Sequence, residues 1–437
     1  MRIAVLGLGH VGSVAAACLA EAGHQVLGID MDVGRVRSIQ TGQANFFEPG
    51  LDRLLQTVLD SRALTVKALD EVENPDAQVA VIAVGTPPLA SGGADLSAVR
   101  SALGWLAERF PRRPLVMMKS TLPPGAGQNL ARQFGVRYVA NPEFLRQGQA
   151  LHDWRRPDRI VIGGECQRDI QLAKKLYVDV EAPFLVTDLS TAEMIKYAGN
   201  AFLSTKVSFI NEIANLCDHV EADIDDVVAG LGMDPRIGPS FLRAGIGYGG
   251  SCFPKDVRAL EYASATNGYS CDLLKAVISV NKRQRLLPVY VLRRELGSLA
   301  GRQVAILGLT FKPGTDDLRE APALDIMTFL LGEGARVTAY DPVVKQGRCE
   351  LPIEATITAS AEDAVAGAEA AVLCTEWEEF SGLDWQSVRQ AMRPPYLVID
   401  GRNALPAEVL RNLGFRYVGV GRGRPTGAGS RWGKSCE

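Results

Sequence analysis

The chain has 437 residues, 47% of them hydrophobic and 22% charged, with a formal net charge of −3. That length exceeds a single core and implies at least two domains, and the balanced charge argues against a general attraction to nucleic acid or an anionic membrane. Eight cysteines, at 18, 166, 217, 252, 271, 349, 374 and 436, form no CxxC pair, and the four histidines fall at no metal-ligand spacing, so neither a disulfide framework nor a metal site is expected.

The opening segment MRIAVLGLGHVG is broken by glycines and soon followed by Asp30 and Asp32. It reads as a strand and tight turn rather than a signal peptide. No apolar run reaches the ~18 residues of a membrane span, so a cytoplasmic location and no membrane partner are expected. Residues 2–7 are predicted as a buried parallel strand, 11–22 as a helix of small residues that packs closely on a sheet, and 25–30 as the next strand. Further strands are predicted at 79–85, 114–120, 137–141 and 159–164, with helical patterns between several of them. Such alternation implies a parallel α/β sheet. The Arg155-Arg156 pair is expected in a solvated loop.

The pattern changes near residue 190. Met194, Ile195, Ala198, Phe202, Val207, Ile210 and Ile213 recur at helical spacing, which predicts one long helix able to link two domains and present a dimer face. From about residue 300 the first pattern returns, with strands at 302–309, 335–342, 370–375, 396–400 and 416–421. The second half is a pseudo-repeat of the first that lacks the full glycine fingerprint. The expected fold is α/β: two Rossmann-like, doubly wound parallel-sheet domains joined by a long central helix. The Gly-, Ser- and Arg-rich end is expected to be disordered, which leaves Cys436 without a catalytic part.

Gly7-Leu8-Gly9-His10-Val11-Gly12 is a GxGxxG motif that follows a strand, opens a helix and leads to a strand ending at Asp30. In that context it marks a dinucleotide site. Gly7 permits the tight turn, Gly9 lets backbone amides approach the pyrophosphate, and Gly12 allows close helix–strand packing. Asp30 is expected to accept from the adenosine ribose hydroxyls and to repel a 2′-phosphate, which favours NAD over NADP. Arg35 stands nearby, and His10 is expected to pack beside the phosphates.

The second informative segment is Gly245-Ile246-Gly247-Tyr248-Gly249-Gly250-Ser251-Cys252-Phe253-Pro254-Lys255-Asp256. Its glycines allow close backbone approach to a ligand, and a cysteine beside Lys255 and Asp256 is a candidate nucleophile.

Together with FFEPGL (46–51), VGTP (84–87), STLPPG (120–125), NPEFL (141–145), PDRIVIGG (157–164), EMIKYAGNAF (193–202), FKPGTDDLRE (311–320) and DGRN (400–403), these two segments resemble the UDP-glucose/GDP-mannose dehydrogenase family, in order and over nearly the whole chain. The resemblance implies an NAD-binding Rossmann domain (1–190), a central helical dimerisation region (191–297), a UDP-sugar-binding Rossmann-like domain (298–420), a tail (421–437), and a homodimer or higher homo-oligomer. It implies NAD-dependent four-electron oxidation of the C6 alcohol of UDP-glucose through a thiohemiacetal and thioester on Cys252. The alternatives are the same chemistry on GDP-mannose or another UDP-sugar, or a reaction that stops at the aldehyde or thioester.

Carried over by motif, Lys196 and Asn200 sit by the sugar C6, Asp256 and Thr121 support a catalytic water, and Glu143 is the acid/base for thioester hydrolysis. Thr86, Thr121, Lys255 and Arg319 join the glycine motif, Val11 included, around NAD. Phe144, Leu145, Arg236, Phe241, Leu242, Gly245, Tyr248, Gly249, Phe311, Lys312 and Arg402 join Glu143, Lys196 and Asn200 around the UDP-sugar. Two positions depart from the family pattern. Gln147 replaces a customary Glu and cannot take a proton, and Ala126 stands where Thr is common.

Overall fold

The computed structural model describes residues 1–73, 75–348 and 350–422. Cys349, Cys436 and the expected tail from residue 423 on lie outside the described residues. The chain divides into two compact units. The first holds Met1–Phe202, Lys255–Leu274 and Gly314–Asp316; the second holds Leu203–Pro254, Lys275–Pro313 and the chain from Asp317 on.

The first unit carries an eight-stranded sheet: β1 (Arg2–Leu6), β2 (Gln25–Asp30), β3 (Leu64–Ala68), β4 (Val79–Ile82), β5 (Leu115–Met118), β6 (Tyr138–Ala140), β7 (Ile160–Gly163) and β8 (Phe184–Thr187). Its order is β3-β2-β1-β4-β5-β6-β7-β8. Reversal of strand order between β1 and β4 opens a crevice at their carboxyl ends, where dinucleotide folds bind their ligands. Alternate residues of β1 feed different cores: Ile3 and Val5 pack with Val14 and Leu55, and Ala4 and Leu6 with Ile82 and Leu103. Period-two alternation in a strand covered on both faces produces this. Helix His10–Glu21 buries Gly12, Ala15, Ala16, Ala17 and Ala20, so its small face seats closely on the sheet.

One edge departs from the expected parallel sheet. β6 and β7 pair antiparallel, through Ala140 and Gly163, while β7 and β8 are again parallel. Antiparallel neighbours need no helical crossover, and only the short helix Ala150–Arg155 lies between them. β3 and β8, absent from the sequence-based expectation, are the two edge strands; β3 (LTVKA) alternates apolar and polar residues, and β8 (FLVT) is a four-residue strand with no fully buried position.

The second unit carries a six-stranded sheet: β9 (Gln303–Leu307), β10 (Arg336–Tyr340), β11 (Thr356–Ile357), β12 (Ala370–Leu373), β13 (Leu397–Asp400) and β14 (Arg416–Gly419). The order is β11-β10-β9-β12-β13-β14, all parallel. It repeats the topology of the first six strands of the chain.

The expected long helix runs Leu189–Val220, 32 residues. Phe202, Phe209 and Leu216 recur every seventh residue along it and are 65%, 51% and 56% exposed. Among the described residues no helix is long and apolar enough to cross a membrane.

Candidate active site

The glycine turn after β1 is built as the motif requires. Gly7 has φ +87°, and a Cβ there would stand 2.9 Å from Ala83 O and Val84 N. A Cβ on Gly12 would lie 1.7 Å from Gly7 O, whereas one on Gly9 would meet nothing within 4 Å. Gly9 therefore faces open space at the start of helix His10–Glu21, whose N-cap has no side-chain hydrogen bond and whose first turn has no acidic residue. An uncapped helix start with room in front of it fits a pyrophosphate. His10 and Val11, partly exposed, form the first turn.

Asp30 ends β2 and is 5% exposed. Its carboxylate accepts from the amides of Leu8 at 2.6 Å and Asp32 at 2.9 Å, and from Arg35 Nη1 at 3.0 Å. The strand-end carboxylate thus pins the glycine turn and pairs with Arg35. His10 Nε2 lies 2.9 Å from Glu48 Oε2, and Glu48 also accepts from Gly148 N at 2.7 Å and Ala150 N at 2.8 Å. Glu48 joins the cofactor helix to the segment carrying Gln147. Nothing in its local spacing distinguished it, though it lies within FFEPGL.

Thr86 donates through Oγ1 to Thr121 O at 3.1 Å, and Ser120 Oγ donates to Val84 O at 2.7 Å. These bonds bring together the two threonines expected near NAD. Beside them lies a buried ion pair: Lys196 Nζ donates to Glu143 Oε1 at 3.0 Å, with side chains 5% and 8% exposed. Leu145 N donates to the other Glu143 oxygen at 2.6 Å, and Lys196 stands 5.3 Å from the Phe144 ring centre. Burial would push the Glu143 carboxyl up, but the charge and hydrogen bond of Lys196, the Leu145 amide and the Lys119 charge hold it below the usual range. Lys119 is a second buried cation, bonded to Tyr177 Oη at 2.9 Å and over the Trp154 ring. One turn after Lys196, Asn200 donates to Asp256 Oδ2 at 2.6 Å, and Lys255 pairs with the other oxygen of Asp256, which is 1% exposed. Five of the expected site residues of the first unit (Glu143, Lys196, Asn200, Lys255 and Asp256) therefore fall into two contiguous polar clusters.

In the second unit the glycine loop is held through its backbone. Gly245 N donates to Asn211 Oδ1, and Tyr248 N donates to Asn281 Oδ1 at 2.9 Å. Gln284 donates to Gly245 O, and Arg285 to Tyr248 O, both at 2.8 Å. Arg402 reaches Gly247 O at 2.9 Å, Cys374 O at 2.7 Å and Phe311 O at 3.3 Å. A Cβ on Gly249 would stand 2.1 Å from Glu320 O. The polar set Asn281, Gln284 and Arg285 on helix Asp272–Arg285 was not found from sequence, because its partners are backbone atoms some 35 residues away.

Cys252 ends this loop, half-buried, with Ser251 Oγ 3.8 Å from its sulfur, and directly precedes helix Phe253–Thr266. Phe241 (φ +62°) packs tilted and Tyr248 edge-on against the Phe253 ring, and Leu242 is buried. Lys312 lies over the Phe311 ring. Arg236 is 87% exposed and paired with Asp234, and Arg319 is paired with Asp317.

A doubly wound sheet with an open, uncapped glycine turn, and a second unit of the same strand order, define a dinucleotide-dependent dehydrogenase. Residues 1–181 match the NAD binding domain of the UDP-glucose/GDP-mannose dehydrogenase family, 190–283 its central domain and 305–407 its UDP binding domain. The chain belongs to this family, and its cofactor is NAD. It is 44% identical to a UDP-glucose 6-dehydrogenase of Pseudomonas aeruginosa, covering 97% of this chain and 98% of that one. It is 40% identical to one of Rhizobium meliloti, covering 97% and 100%. Among solved structures it is similar to a UDP-glucose dehydrogenase from Pyrobaculum islandicum (TM-score 0.87, 36% identity, 96% and 97% covered). It is also similar to a UDP-D-ManNAc dehydrogenase from Pyrococcus horikoshii (TM-score 0.85, 30% identity, 97% and 99% covered).

Proposed function

We propose that the chain oxidises the C6 alcohol of UDP-glucose to the carboxylate of UDP-glucuronate, through a thiohemiacetal and a thioester on Cys252. The near full-length identity to two UDP-glucose 6-dehydrogenases supports the substrate. The observation that carries the chemistry is the buried Glu143–Lys196 pair. Residues 1–190 serve NAD, 191–297 dimerisation and 298–420 the UDP-sugar. The seven-residue spacing of exposed Phe202, Phe209 and Leu216 supports a homodimer through the long helix.

NAD, held by the Gly7–Gly12 turn and Asp30, would supply the hydride acceptor for each of two oxidations, in each of which C6 gives up a hydride and its hydroxyl proton leaves to water. The Cys252 thiol adds to the intermediate aldehyde: the S–C bond forms, the thiol proton passes to the carbonyl oxygen, and the aldehyde cannot escape. Lys196 stabilises negative charge as it develops on that oxygen. In hydrolysis, water attacks the thioester carbon, Glu143 takes a water proton, the C–S bond breaks, and the proton returns to the departing sulfur. A Glu143 held ionised by Lys196 is a weak base at rest. As Lys196 is drawn to the developing oxyanion, Glu143 loses its partner and its basicity rises. Thr121 and Asp256 support the water, and Asn200 orients Asp256.

The test is to incubate the purified chain with NAD and a panel of nucleotide sugars and count NADH per sugar consumed. Two per UDP-glucose is expected; one, or preference for another sugar, overturns the corresponding part of the proposal. Cys252→Ser should abolish the second oxidation. Glu143→Gln should accumulate sugar on Cys252, visible as added mass on the intact chain.

A further inference from the structure

Glu193 lies one turn before Lys196 on the long helix and is 4% exposed. Nothing in the chemistry above uses it. Its two oxygens accept from Gly125 N at 2.7 Å and Gly127 N at 2.9 Å. Both amides stand at the start of helix Ala126–Phe134, whose N-cap, Gly125, has no side-chain hydrogen bond of its own. The carboxylate of one helix therefore caps another. The fit is tight: a Cβ on Gly127 would lie 2.2 Å from Glu193 Oε1 and 2.5 Å from Tyr138 Oη.

The segment between is the one that carries Thr121. Thr86 and Val84 fasten its first end, at Ser120 and Thr121, and Glu193 fastens the other, at Gly125 and Gly127. Ser120, Thr121, Tyr138, Pro142, Glu193 and Lys196 line one small cavity of about 10 Å³. Tyr138 Oη is buried beside it with no hydrogen-bond partner among the described residues.

We propose that Glu193 is a positioning residue for thioester hydrolysis, fixing the Thr121 segment against the turn that presents Lys196. This rests on the reading of Thr121 and Lys196 as site residues. An ionised carboxylate accepts from both amides with charge-assisted bonds, whereas protonation turns one oxygen into a hydroxyl, a weaker acceptor, so the clamp depends on protonation. Burial pushes the Glu193 carboxyl up to about 7, opposed by the two amides and reinforced by Asp188. The other polar groups around it are Tyr138 on β6, and Tyr197 and Lys196 on its own helix. The clamp is complete above that pH and weakens below it.

The test uses the full chain, with UDP-glucose and NAD saturating. Wild-type kcat should fall as pH drops through about 7 while KM for UDP-glucose stays flat. Glu193→Gln should lower kcat at pH 8 by about tenfold to a hundredfold, the loss that about 1 Å of misplacement produces. It should also flatten the acid limb, hold KM within twofold and accumulate sugar on Cys252. Should that variant not fold, Glu193→Asp, which keeps the charge but shortens the reach to the Gly125 and Gly127 amides, should lower kcat at pH 8 while KM for UDP-glucose stays within twofold. Glu193→Gln with wild-type kcat and an unchanged limb overturns the proposal, as does wild-type kcat in Glu193→Asp. If Glu143→Gln traps no adduct, the underlying reading of the site fails first, whatever Glu193 does.

Discussion

The turns after β1 and β9 share one design up to a point and then part. Gly7 and Gly308 have φ +87° and +86°. Gly7 N donates to Ile29 O at 2.9 Å, and Gly308 N to Tyr340 O at 2.8 Å. Leu8 N donates to Asp30 at 2.6 Å, and Leu309 N to Asp341 at 2.7 Å. After that, Gly9 is matched by Thr310 and Gly12 by Pro313. The helix that begins at once with His10 in the first unit begins only at Pro322 in the second. Thr310 Oγ1 and Trp377 Nε1 both donate to Asp341. The glycine and the strand-end aspartate are thus a folding device common to both units. The extra glycines and the immediate, uncapped helix are what make room for a pyrophosphate.

If that division is right, the extra glycines and the shared pair respond differently to mutation. The largest effect is expected from Gly12→Ala, whose Cβ would overlap Gly7 O. NAD affinity should fall at least a hundredfold, ~2.7 kcal/mol, while titration with UDP is unchanged; an equal loss of both would break the comparison. Next is Gly308→Ala, where positive φ and contact with Thr375 should cost about 2–4 kcal/mol. The expected readout is a lower midpoint in urea, with NAD affinity retained in the folded fraction. The paired changes Asp30→Asn and Asp341→Asn sharpen the point. Each should cost about 1–3 kcal/mol by turning an acceptor against a backbone donor, but Asp30→Asn alone should also raise the KM for NAD.

The smallest effect concerns pH and stability, and again separates function from folding. Glu193 titrates in the fold near 7, above its ordinary 4.5, with burial the main cause. Its contribution to stability is therefore full below about 4.5 and lost as pH rises through about 7. Wild-type melting temperature should decline more steeply between pH 5.5 and 8 than that of Glu193→Gln. Parallel curves would show that the carboxylate is not destabilised where it sits.

Much of the architecture was legible in the chain because short-range physics dictates it. Buried parallel strands must be apolar throughout, as in VAVI and AAVL. A positive φ favours glycine, as at Gly7 and Gly308, and the long helix shows its period over 32 residues. The motif residues Gly7, Gly9, Gly12, Asp30 and Cys252 stood out for the same reason, since each is defined by its immediate neighbours. Other features follow from distant partners. The reversal at β7, the Glu48 link to Gly148, the Glu193 cap and the hold of Asn281, Gln284 and Arg285 on the glycine loop join residues about 20 to 100 positions apart. A side chain's pattern in sequence reports which face it occupies. Which backbone amide a buried carboxylate meets is decided only when the sheet brings the two segments together, and that pairing has no local signature.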